Sequence, residues 1–287
     1  MKPCGSILTT CTWHLLCLTI LVATQASHAA LVEERSPEAS RKERDAVSRP
    51  VGPVFASETK PDEPARCPPV PEDVDIDPAS PASMQRLFKD APPIVYALGK
   101  DRRPRLKQML ASGTNLNVCA AGGSILRLSA ISGDLEEVRL LLEHGAHPDL
   151  PLNEIGGSPL SSALISGKFE VARLLLSKGA DPLRTTDGGG TLLHDLAIVR
   201  IDDERTAQLQ LMIAQELVAA GASVNAQVTG GSTPLMVAVV ARNPRLVAFL
   251  MQNGANPEIQ DKRGATAISL ARKINRPDLV AILEGKQ

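Results

Sequence analysis

The chain has 287 residues, 31 basic against 32 acidic, and only six aromatics. Balanced charge excludes the basic footprint of a nucleic-acid binder, and so few aromatics argue against base-stacking platforms or an aromatic-lined ligand pocket. A hydrophobic fraction of 43% is enough for a buried core in one or two domains.

Residues 1–29 read as a signal peptide. Lys2 is the single charge, Ile7 to Val22 form an apolar run, and the small residues Ser27 and Ala29 suit cleavage after Ala29. The run is short for a spanning helix and is broken by Thr9, Thr10, Thr12, His14 and Thr19; an uncleaved anchor is the alternative. Cleavage leaves two of the five cysteines, and 30 basic against 32 acidic residues. Export implies an oxidising compartment, where Cys67 and Cys119 are a candidate disulfide, with two unpaired thiols as the alternative.

Residues 30–80 carry no sustained apolar periodicity, and nine prolines fall between Pro50 and Pro81. Such a stretch cannot bury enough apolar surface to offset the entropy of ordering, so it reads as a disordered linker. Its acidic run, Glu72 to Asp77, lacks the glycine and terminal glutamate of a calcium loop. Ser80-Pro81 followed by Met84, Leu87 and Phe88 suggests a capping helix over 81–90.

From there the sequence repeats. A glycine tag recurs at Gly113, Gly145, Gly179, Gly221 and Gly254, with spacings of 32, 34, 42 and 33 residues. An apolar helical stripe precedes each tag, as in Val138, Leu140, Leu141 and Leu142. Earlier in each unit lies a shorter helix, opened by a hydroxyl residue and often a proline. Ser158-Pro159-Leu160 and Thr233-Pro234-Leu235 show it best. A hydroxyl cap followed by proline starts a helix, and a glycine past the last turn ends one. Six units follow: 91–121, 122–155, 156–187, 188–229, 230–262 and 263–287. The fourth is about nine residues too long, the excess falling near Ile201 to Ala207.

A unit of about 33 residues built of two antiparallel helices and a turn resembles the ankyrin repeat family, over 81–287. The resemblance implies an all-α solenoid whose small inner residues (Ala130, Ala163, Ala238) let helices approach while Leu141, Leu175 and Leu250 fill the layers. It implies structural roles for Pro159, Pro234, Gly145, Gly179, Gly221 and Gly254. His194, in Thr191-Leu192-Leu193-His194, falls on the family's Thr-Pro-Leu-His and is expected to make a structural hydrogen bond. Terminal units need caps, because the stacked core is otherwise open.

Nothing in the chain marks catalysis. His144 and His147 sit three apart but lack further ligands, so no metal is expected. No lysine follows Gly122-Gly123 or Gly188-Gly189-Gly190 as a phosphate loop would require, no nucleophile-elbow or zinc-protease motif occurs, and no cofactor is expected. The acidic pairs Glu136-Glu137 and Asp202-Asp203 read as solvated helix faces. In ankyrin repeats, partners are commonly held by turn tips and the exposed side of the first helix. Carried over, the tips are Glu154, Ile155, Asp187, Thr229, Lys262 and Arg263, and the inner-helix ends are Ile131, Ile165, Ile198 and Val199. The expectation is therefore a monomeric, non-catalytic protein-binding module, periplasmic or secreted, off nucleic acid and, once cleaved, off the membrane. An immunity-type inhibitor of a toxic enzyme and a host-directed effector are the specific alternatives. A repeat domain tethered near a membrane is a third, and a hidden enzyme would need a polar constellation the sequence does not display.

Overall fold

The computed structural model describes residues 91–120, 123–150, 157–185, 188–201 and 203–285. The expected signal peptide, linker and capping helix, and Cys67, lie outside them. Two 3-10 turns, Pro93–Ala97 and Lys100–Arg102, lead into α1, Arg103–Ala111. The first unit thus opens without a regular inner helix, as its departure from the hydroxyl-proline start suggests. A hairpin of two-residue strands, β1 (Cys119–Ala120) and β2 (Gly123–Ser124), comes next.

Five helix pairs follow. They are α2 (Ile125–Ser132) with α3 (Leu135–Glu143), α4 (Pro159–Ile165) with α5 (Phe169–Ser177), and α6 (Leu192–Ile198) with α7 (Glu204–Ala219). The last are α8 (Pro234–Val240) with α9 (Pro244–Gln252), and α10 (Ala267–Lys273) with α11 (Pro277–Leu283). Each first helix packs on its partner and on the first helices of the neighbouring units, and the second helices stack likewise. The result is two layers: an inner row (α2, α4, α6, α8, α10) and an outer row (α1, α3, α5, α7, α9, α11). One core runs between the rows through Ala130, Ala163, Ala197 and Ala238 to Leu141, Leu175, Leu217 and Leu250. No helix pair buries its apolar face alone, so the layers stabilise one another.

The caps account for the helix boundaries. The hydroxyls of Ser124, Ser158, Thr233 and Thr266 accept the backbone N–H three residues on; Thr191 joins His194 in a capping box. At the other end of each unit, Gly145, Gly179, Gly221 and Gly254 take φ near +90°. The following alanine N–H then reaches back to the helix, Ala146 to Leu141 O at 2.9 Å and Ala255 to Leu250 O at 2.9 Å. This αL stop is open to glycine without strain.

The extra length of the fourth unit goes mostly into α7, which has 16 residues where α3, α5 and α9 have nine. The buried Gln210 of α7 donates to Leu196 O at 2.8 Å and accepts from Asn243 Nδ2 at 2.7 Å. The long helix is therefore bolted to α6 and to the start of α9.

Candidate protein-binding surface

The units are stitched to one another by polar bonds at recurring positions. Four residues past the tag glycine, Asn117 accepts His147 N–H (2.8 Å), Asp149 accepts Asp181 N–H (2.9 Å) and Asn225 accepts Asn256 N–H (2.8 Å). The third unit has Leu183 there instead, 49% exposed, so the boundary between units three and four lacks that stitch.

A second line runs along the inner helices, three residues into each. Arg127 Nε donates to Ser162 Oγ (2.8 Å), and Ser161 Oγ donates to Asp195 Oδ2 (2.6 Å). His194 closes the series. Its Nδ1 accepts the Thr191 backbone N–H, so the ring proton sits on Nε2 and is given to Ser232 O at 3.2 Å. Burial lowers the Arg127 guanidinium to about 10 and pushes the Asp195 carboxyl up to about 7, the Ser161 bond offsetting only part of that. A small open cavity is lined by Ser158, Ser161, Arg184, Thr185, Gly190 and Asp195.

Glu137 departs from the sequence reading. It is buried, accepting the Ser129 hydroxyl (2.6 Å) and the Gly99 backbone N–H of the first unit (2.5 Å), next to the Arg103–Asp134 ion pair. Burial raises its carboxyl above the ordinary glutamate range, the two hydrogen bonds holding it back. It ties the irregular first unit to the second and is not a solvated face. Asp203 caps α7 by accepting Thr206 N–H; Asp202 lies outside the described residues.

The expected contact residues fall into three groups. Glu154, Ile155 and Asp187 lie outside the described residues. At the turn tips, Thr229 N–H and Lys262 N–H donate to Gly188 O (2.7 Å) and Gly230 O (3.0 Å) of the preceding tips, and Arg263 N–H donates to Asp261 Oδ1. The Thr229 hydroxyl also donates to Gly188 O (3.1 Å), whereas the bonds at Lys262 and Arg263 use their backbone N–H groups; all three residues are exposed. On the inner helices, Ile131 is corrected: it is 5% exposed and offers a partner nothing, because α2 is enclosed where it packs between α3 and α4. Ile165 is half-buried; Val199 is the extended cap of α6 and packs against the core.

Seven residues past each hydroxyl cap, the row reads Ile131, Ile165, Ile198, Val240. Exposure rises along it, reaching 43% at Ile198 and 57% at Val240. Val240 was absent from the expected set, although the fixed offset from Thr233 marks it. Just beyond the same helix ends stand Lys168, Arg200 and Arg242. The surface is thus an apolar row with a cationic border, a pattern that suits protein contacts.

Among the described residues, no group of His, Cys, Asp or Glu could hold a metal ion, and no helix is long and apolar enough to cross a membrane. His144 Nδ1 bonds Leu140 O and His147 Nδ1 accepts Asp149 N–H, so both rings serve the turn. Cys119 is disulfide-bonded, to a cysteine outside the described residues.

Two family models match, ankyrin repeats in three copies at 94–186 and ankyrin repeats in many copies at 217–271, together 148 of the 287 residues. The chain is 44% identical over 81 residues (28% of its length) to protein lin-12 of Caenorhabditis elegans, and 37% identical over 71 residues (25%) to a putative ankyrin repeat-containing protein of Treponema pallidum. It is 41% identical over 63 residues (22%) to an L-asparaginase of Dirofilaria immitis. These matches span 6%, 24% and 11% of the respective relatives. Ankyrin repeats are generally protein–protein interaction modules and typically non-catalytic. Capped helix pairs, tag glycines at one period and both family models agree: the chain forms an all-α ankyrin solenoid and belongs to the ankyrin repeat family.

Proposed function

We propose that this chain is a non-catalytic protein-binding module that acts in the periplasm or outside the cell. It holds a partner protein against the exposed ends of its inner helices and its turn tips. The observation that carries this reading is the row Ile165, Ile198 and Val240: equivalent positions of consecutive units, apolar, increasingly open, and bordered by cations. Export is supported by the apolar segment of residues 7–22 and by the disulfide at Cys119, since such bonds persist in oxidising compartments. An inhibitor that covers a toxic enzyme and a host-directed effector are two uses of this same surface.

The test is affinity capture from the native compartment with the wild-type chain and with an Ile198→Asp/Val240→Asp variant. Both positions are open enough for the variant to fold, which circular dichroism checks. A partner retained by the wild type and lost from the variant supports the reading. An identical set of captured proteins removes the inner row from the account.

A further inference from the structure

The boundary between units three and four is built differently from its neighbours. The apolar core runs through every boundary, so the polar bonds distinguish one joint from another. Units two and three share Arg127 with Ser162, Asp149 with the Asp181 N–H, and Arg184 with Asp149 O (3.3 Å). Units four and five share Gln210 with Asn243, His194 with Ser232 O, and Asn225 with the Asn256 N–H. Between three and four, the described residues show one buried bond, Ser161 Oγ to Asp195 Oδ2 (2.6 Å). Beside it stand two loose, exposed ion pairs, Arg205–Glu170 at 3.8 Å and Arg173–Glu216 at 3.9 Å, and such pairs contribute little. Leu183 takes the place of the stitching residue, and the small open cavity lies against the buried bond. At the other end of α6, Val199 packs against Gly167 of the third unit. We propose that this boundary is a hinge in the solenoid, latched by the Asp195–Ser161 bond, and that the proton on Asp195 sets the angle at which units three and four present their row and turn tips to a partner.

The surroundings of Asp195 suit a proton-controlled latch. Neither α4 nor α8, the helices on either side, carries a charged residue. The buried face of α7 is uncharged as well (Ala207, Gln210, Ile213, Ala214, Leu217), while its Glu204, Arg205 and Glu216 are exposed and pair outward. Among the described residues, the titratable groups beside the carboxyl are Arg184 and His194. Arg184 lines the cavity and donates to Asp149 O; His194 is engaged with Thr191 and Ser232. Burial pushes the carboxyl up to about 7, so the proton leaves close to neutral pH. The ionised carboxylate then favours water, which an opened latch admits through the cavity. An opened carboxyl titrates near the ordinary value of about 3.9, so opening is favoured about tenfold more at pH 8 than at pH 6.

The consequence for partners rests on the reading of the inner row as the binding surface, but the test needs no partner. Lys178, Ala220 and Asn253 each precede a tag glycine and are exposed, so they mark equivalent points on units three, four and five. The full chain would carry nitroxide-bearing residues at 178 and 220, across the hinge, or at 220 and 253, across the next boundary. Distances would be read by electron paramagnetic resonance at pH 6 and pH 8. The 178–220 distance should gain a longer component at pH 8, rising up to about tenfold, while the 220–253 distance stays constant. Asp195→Asn should hold the short 178–220 distance at both pH values. Leu183→Asn, which places an acceptor opposite the Ser223 N–H as Asn225 does for Asn256, should suppress the longer component. A 178–220 distance unaffected by pH would overturn the proposal. So would an equal change across both boundaries, or a change that persists in Asp195→Asn, since either assigns the response elsewhere. Loss of a partner from the Ile198→Asp/Val240→Asp variant without any pH-dependent distance would leave the binding surface standing and remove the hinge alone.

Discussion

Asp195 makes stability depend on pH in an unusual direction. Its carboxyl is buried on α6 at the edge of the small cavity, with the Ser161 hydroxyl as donor, and burial outweighs that hydrogen bond. Unfolded, it ionises near the ordinary aspartate value of about 3.9; folded, it does so at about 7. Below pH 4 both states are protonated and the group contributes nothing. Between about 4 and 7 the folded state holds a proton that the unfolded state has released, so stability falls as pH rises. The loss levels off above 7, at an upper bound on the order of 4 kcal/mol for a three-unit shift. Asp195→Asn keeps an acceptor for Ser161 and carries no charge. Urea unfolding of both proteins, followed by helix signal at pH 4.5, 6 and 8, should show the variant near wild type at the lowest pH and increasingly more stable above it. Glu137 and Asp149 also titrate upward, but they are common to both proteins, so the difference isolates Asp195. A stability gap that does not change between pH 4.5 and 8 would refute the reasoning.

Other perturbations test the remaining joints. Glu137→Leu leaves the Gly99 N–H and the Ser129 hydroxyl without their acceptor and should cost about 2–3 kcal/mol; amide exchange at Gly99 should accelerate with it, and Glu137→Gln should lose much less. His194→Ala removes both the capping-box bond and the link to Ser232, for about 2–3 kcal/mol measured by urea unfolding. Arg242→Gly relieves the left-handed backbone and should raise stability by roughly 0.5–1 kcal/mol after the greater unfolded-state entropy of glycine, measured by urea unfolding.

What the sequence made legible here is whatever depends on local chemistry. Ser158, Thr191 and Thr233 announce helix starts because a hydroxyl cap acts within three residues. Gly145 and Gly254 announce stops because the αL turn is a property of one residue. The extra length of the fourth unit was legible in a spacing of 42 between tag glycines where 33 is usual, but not that α7 would take up most of it. Burial that depends on a neighbouring unit was not legible. Glu136 and Glu137 are adjacent on a charged helix start, and only the packing of the first unit decides that Glu137 turns inward to Gly99. Ile131 and Val240 occupy the same place in their units, yet one is enclosed and the other open. Arg127 and Asp195 stand at helix positions where the exposed reading is the ordinary one. Their burial comes from Ser162 and Ser161, 35 and 34 residues away.

The claim that partners meet the inner row is tested most directly by photo-crosslinking in the native compartment. A photoreactive residue would replace Ile198 or Val240 in turn, and Met212, 45% exposed on α7, would serve as the comparison site. The account predicts a covalent adduct from positions 198 and 240 and none from 212. An adduct at 212 alone would place the contact on the lengthened outer helix and contradict it.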